Sequence, residues 1–148
     1  MLTNMIRKAS AIWNGTALEG AGSITSTSGV LNNTPYSFST RFKSQDGKAG
    51  TNPEELIAAG HAACFTMALS FALGGSGFTP TQIDTEAALR IEQVDSGFEI
   101  KGIHLTVNAT VPKISSEQFQ AAVDGAAKNC PVSKALSAIE ITHEAKLV

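Results

Sequence analysis

The stretch GTNPEELIAAGHAACFTMALSFALGG, residues 50–75, decides the fold. Asn52 is a capping residue. Pro53 suits the first helical position, where a missing N–H costs nothing, and Glu54 and Glu55 complement the positive end of the helix dipole. Leu56 to Leu73 then runs almost wholly apolar, interrupted by His61, Thr66 and Ser70, until Gly74-Gly75 stop it. A helix apolar on every side belongs in a core or in a membrane. A membrane span wants about 20 strongly apolar residues, and this run is shorter and alanine-rich. The sequence therefore predicts a buried central helix.

Strands and shorter helices surround it. Upstream, Ala9 to Trp13 and Ser23 to Ser28 are strand-like runs separated by Gly15, Gly20 and Gly22, which signals a hairpin. Pro35 to Phe42 alternates, with Tyr36, Phe38, Thr40 and Phe42 on one face, and reads as a further strand. A polar loop, 43–52, leads into the central helix. Downstream, Gln82 to Val94 and Phe98 to Val111 are long strands joined across Asp95-Ser96-Gly97. Ser115-Ser116-Glu117 opens a second helix that ends near Asn129. Pro131 opens a helical turn over Val132 to Ser137, and Ile139 to Leu147 is a closing strand. The class expected is α+β, in a single domain over residues 1–148 without internal repeats.

Composition narrows the function. The chain has 148 residues, 43% hydrophobic and 16% charged, which describes a globular protein with a real core. Net charge is -2 and the basic residues are scattered, so no footprint for nucleic acid is present. The N-terminus MLTNMIRKAS has no apolar core or cleavage site behind its charges, so it does not read as a secretory signal. A cytoplasmic location is expected. Two cysteines in that compartment are either ordinary buried residues or a transient, redox-active pair.

Cys64 sits mid-helix in Gly60-His61-Ala62-Ala63-Cys64-Phe65. Apolar burial raises a thiol's pKa and leaves it inert, so reactivity needs a cation from elsewhere. At an ordinary pKa only about 3% is thiolate at neutral pH. A drop of ~3 units reverses that, for ~4 kcal/mol of interactions. Arg41 is one source of such charge and is otherwise a surface arginine; Glu54 can hold it or serve only as a first-turn carboxylate. His61, three residues before Cys64, permits a Cys–His dyad, and His61, Cys64 and Cys130 permit a weak metal site; a packed histidine is the plain alternative. Cys130, followed by Pro131, is placed to be a helix N-cap, which favours its thiolate.

Together these residues resemble the OsmC/Ohr family of organic hydroperoxide reductases, the OsmC branch most closely, over essentially the whole chain. The resemblance is densest in GVLNNTPYSFSTRF (29–42), GTNPEELIAAGHAACFTMALS (50–70) and NCPVSKAL (129–136). It implies an intertwined homodimer whose β-sheets wrap the central helices, with the active site at the interface. It implies that Cys64 attacks the peroxide, Cys130 resolves the sulfenic acid as a Cys64–Cys130 disulfide, Arg41 activates the thiolate and Glu54 orients Arg41. The implied activity is reduction of organic hydroperoxides to alcohols in oxidative and osmotic stress defence. No cofactor or metal is bound, and an external dithiol, dihydrolipoamide or a lipoylated protein, acts as reductant. Phe38, Phe42, Ile57 and Met67 are candidate pocket walls favouring alkyl or fatty-acid hydroperoxides over hydrogen peroxide. The competing expectation is a binding module for apolar ligands without turnover.

Overall fold

The computed structural model describes residues 4–148 and resolves into two compact units, one up to Pro53 and one from Glu54.

The first unit is an antiparallel sheet of β1 (Ala9–Asn14), β2 (Ala21–Ser26) and β3 (Thr34–Ser37), in that order. The expected hairpin is present, with Ala9 opposite Ser26 and Asn14 opposite Ala21. Gly22 is required by packing: a Cβ there would stand 2.5 Å from the Ile12 carbonyl and 2.6 Å from the Tyr36 ring. That absence of a side chain leaves room for Trp13 and Tyr36 to meet with ring centroids 5.3 Å apart.

The expected strand over 35–42 ends early. Phe38–Phe42 forms a short helix, α1. Ser37 Oγ accepts the Thr40 N–H at 3.1 Å, and Thr40 Oγ1 accepts the Ser37 N–H at 2.8 Å. This reciprocal box turns the chain helical just where the alternation continues on paper. A spacing of four fits a helix as well as a strand, and it sets the Phe38 and Phe42 rings 5.0 Å apart.

In the second unit, α2 (Pro53–Gly75) packs against a sheet of β4 (Gln82–Val94), β5 (Gly97–Thr110) and β6 (Glu140–Leu147). The β4–β5 hairpin is antiparallel, whereas β5 and β6 are parallel, Gly102 facing Glu140 and Ala109 facing Leu147. Parallel neighbours need a crossover. Here it is α3 (Ser116–Asn129), capped by a Ser115–Gln118 box, followed by α4 (Pro131–Ala135). Gly102 lets β6 come close, since a Cβ would lie 2.9 Å from the Glu140 carbonyl.

The core follows the period of each element. Ile103, Leu105, Val107 and Ala109 alternate inward along β5 and meet Phe65, Leu69 and Leu73 of α2 and Phe119, Val123 and Ala126 of α3. On α2, His61, Phe65, Leu69 and Leu73 form a stripe at four-residue steps. The expectation of burial on every side is therefore corrected within this chain, because Met67 and Phe71 are 63% and 76% exposed. One sheet and one helix cover only one face of a helix. By length and composition α2 also qualifies to cross a membrane; in this fold it is the helix on which the second unit builds its core.

Candidate active site

Cys64 and Cys130 come together although they lie 66 positions apart in the chain. Cys64 is half-buried on α2 and Cys130 is fully buried, and both are free thiols. Cys130 closes one helix and opens the next: its N–H bonds the Ala126 carbonyl at 2.9 Å, and its Sγ accepts the Ser133 N–H at 3.4 Å. The N-cap expected from Cys-Pro is thus formed. The two thiols lie close enough to shift each other's ionisation.

Their environments differ. Burial pushes the Cys64 thiol up; the Val132 backbone N–H opposes this, and Cys130 adds to the rise. Burial also pushes Cys130 up, but the Ser133 hydroxyl and N–H, the Cys64 thiol and the Val132 N–H outweigh it, so the net direction is down. Hydrogen bonds donated to sulfur favour the thiolate. What surrounds Cys64 in the second unit thus raises its pKa, and the requirement for an added cation stands.

His61 is fully buried on the turn before Cys64, and its Nε2 lies 2.7 Å from Ser133 Oγ. Its Nδ1 has no hydrogen-bond partner among the described residues. Burial lowers its pKa from 6.5, so the ring is neutral at pH 7. The Cys–His dyad permitted by the spacing is therefore not what forms, because the engaged nitrogen faces Ser133 rather than Cys64. Among the described residues, no group of three His, Cys, Asp or Glu side chains could hold a metal.

Beside the thiols runs a groove of about 480 Å³, lined by Cys64, Met67, Ala68, Phe71, Ala72 and Pro131 among others. Of the candidate walls, Met67 lies here, while Ile57 packs against the core. Phe38 and Phe42 meet at a tilt in the first unit, where the Arg41 guanidinium lies 4.8 Å from the Phe42 ring centroid. Glu54 is buried in the first turn of α2, about 15 Å along the axis from Cys64. Ser133 was not singled out by the sequence, although its place three residues after an N-cap is where a backbone N–H reaches the cap side chain. Phe71 was missed because an apolar helix does not reveal which face stays open.

A family model for OsmC-like protein matches residues 45–144. The chain belongs to the OsmC-like family. The Peroxiredoxin OsmC of Escherichia coli (strain K12) is 49% identical over 141 residues, covering 95% of this chain and 96% of that one. The organic hydroperoxide resistance protein OhrB of Bacillus subtilis (strain 168) is 37% identical over 116 residues, covering 78% and 81%. The crystal structure of OhrB superposes with a TM-score of 0.71 at 32% identity, over 94% of this chain and 98% of that chain. An OsmC-like protein from Mycoplasma pneumoniae shares the fold at a TM-score of 0.76 and 17% identity, over 99% of both chains. The α+β architecture is thus that of OsmC-like proteins, whose relatives carry both the peroxiredoxin and the hydroperoxide-resistance names.

Proposed function

We propose that this chain is a thiol-dependent peroxidase that reduces organic hydroperoxides to alcohols. The observation that carries the reading is the Cys64–Cys130 pair: two free thiols close enough to shift each other's ionisation, one of them opening onto an apolar groove. Relatives named Peroxiredoxin OsmC and organic hydroperoxide resistance protein support it.

In the proposed cycle the Cys64 thiolate attacks the terminal peroxide oxygen. The O–O bond breaks, the alkoxide takes a proton and leaves as alcohol, and Cys64 becomes a sulfenic acid. Cys130 then attacks Cys64 Sγ; the S–O bond breaks, hydroxide leaves and is protonated to water, and a Cys64–Cys130 disulfide results. An external dithiol returns the pair to thiols. Arg41 supplies the cation that Cys64 lacks in the second unit, Glu54 orients Arg41, and no prosthetic group takes part. The chain works as one functional domain within a cytoplasmic homodimer, in defence against oxidative and osmotic stress, with a lipoyl dithiol as reductant. Met67, Ala68 and Phe71 offer an alkyl chain an apolar bed, which hydrogen peroxide cannot exploit.

The test is steady-state peroxide consumption, comparing an alkyl hydroperoxide with hydrogen peroxide and dihydrolipoamide with thioredoxin. The alkyl substrate and the lipoyl dithiol should give the higher kcat/KM. Binding of hydroperoxide or fatty acid with no consumption under any reductant would favour a ligand-binding module instead.

A further inference from the structure

His61 and Ser133 take no part in the cycle above, yet they are a buried pair aimed at it. Ser133 is 9% exposed and His61 fully buried; their 2.7 Å contact holds the residue whose backbone N–H reaches Cys130 Sγ at 3.4 Å. The direction of the protons follows from what is left unpaired. If Ser133 donated to Nε2, then Nδ1 would carry a buried N–H with no acceptor, the rarer and costlier defect. With the proton on Nε2, His61 donates to Ser133 Oγ, the Ser133 backbone N–H donates to Cys130 Sγ at 3.4 Å, and only an acceptor, Nδ1, stays unpaired.

We propose that Ser133, held in orientation by His61, is a positioning residue that makes Cys130 the sulfur that leaves when the disulfide is reduced. The inference rests on the peroxidase reading for its place in a cycle. A reductant thiolate attacks Cys64 Sγ, the sulfur that lines the groove, whereas Cys130 is wholly enclosed. A new S–S bond forms to the reductant, the Cys64–Cys130 bond breaks, and its electron pair goes to Cys130 Sγ, stabilised by the Ser133 N–H that the His61 contact holds in place. The second thiol of the reductant then displaces Cys64. The reductant departs as a disulfide, and the enzyme has gained two electrons. The better-stabilised thiolate leaves faster, so Ser133 fixes which half of the disulfide is attacked.

The experiment titrates thiolate absorbance in the ultraviolet against pH in Cys64→Ser, where Cys130 is the remaining thiol. The Cys64→Ser/Cys130→Ser double variant provides the tyrosine baseline. Titratable groups facing Cys130 are Cys64 and, behind Ser133, His61, both from α2; Lys128 on α3 and Lys134 on α4 are exposed. In this background Ser133→Ala should raise the Cys130 midpoint by about one pH unit. Ser133→Thr, which keeps the hydroxyl, should not. His61→Leu should raise it, and His61→Gln, whose amide N–H reaches where Nε2–H lies, should restore it; if His61→Leu does not fold, His61→Asn takes its place. An unmoved midpoint in Ser133→Ala, or an equal shift in Ser133→Thr, overturns the proposal. The titration uses no peroxide. A shifted midpoint in a chain without turnover would sink the peroxidase reading alone, and an unmoved one in an active chain would sink this inference alone.

Discussion

His61 and Ser133, 72 positions apart, meet at 2.7 Å between Nε2 and Oγ inside the second unit. The contact ties α4 to α2, and Cys130, at the start of α4, thereby faces Cys64 on α2. The tether lies three residues from each cysteine, so it fixes the two segments that carry them. The polar contact also explains a buried histidine on an otherwise apolar stripe.

Cys64→Ser should abolish peroxide reduction, while Cys130→Ser should allow one rapid turnover and then stop. After stoichiometric peroxide, mass spectrometry should find a Cys64–Cys130 disulfide in the parent and sulfenic or higher oxidation of Cys64 in Cys130→Ser. Full activity in Cys64→Ser would end the assignment.

Arg41→Met should raise the Cys64 pKa and slow peroxide attack at least tenfold near neutral pH, with Arg41→Lys in between. Lysine keeps the charge and loses the planar fork that can bridge sulfur and carboxylate. The measurement is the rate of thiol alkylation against pH. The same inflection in Arg41→Met as in the parent would leave Arg41 an ordinary exposed arginine.

Acid should weaken the fold through His61. Burial lowers its pKa from 6.5, so below that pH the unfolded chain binds a proton that the folded chain refuses. Its contribution is full above pH 6.5 and is lost as pH falls towards the lowered folded value, by about 1.4 kcal/mol per pH unit at most. Urea unfolding near pH 7.5 and 5.5 measures it, with His61→Gln as comparison. A difference between the two pH values that is unchanged in His61→Gln would assign the acid sensitivity to other groups.

Glu54 should act on the Cys64 of a partner chain. The two lie ten residues apart on one straight helix, about 15 Å along its axis and roughly 80° around it, beyond any hydrogen bond. A second copy of α2 alongside, as two-fold symmetry supplies, closes that gap. Glu54→Ala and Cys64→Ser chains, each inactive alone, should recover about a quarter of parent activity when mixed under subunit exchange, since about half of randomly paired dimers are mixed and each has one intact site. No recovery despite proven exchange would place Glu54 within its own chain's site.

Most of this protein was legible in the sequence wherever local rules sufficed. The start of α2 at Pro53, the Asp95-Ser96-Gly97 hairpin, the cap at Ser115 and the N-cap at Cys130 all depend on residues within a few positions of one another. Residues 35–42 failed because a spacing of four satisfies strand and helix alike; there the Ser37–Thr40 box decided the outcome.

Family membership was likewise legible in residues 29–42, 50–70 and 129–136. Only the tertiary structure decided that β6 runs parallel to β5, that one face of α2 is buried while Met67 and Phe71 stay open, and that His61 bonds Ser133 rather than Cys64. The reason is physical. Periodicity and capping act over one or two turns of chain, whereas the partner of a buried polar atom is set by which distant element packs beside it. On an apolar helix like α2, hydrophobicity is nearly uniform around the axis and names no face; the shape of the sheet and of α3 makes that choice.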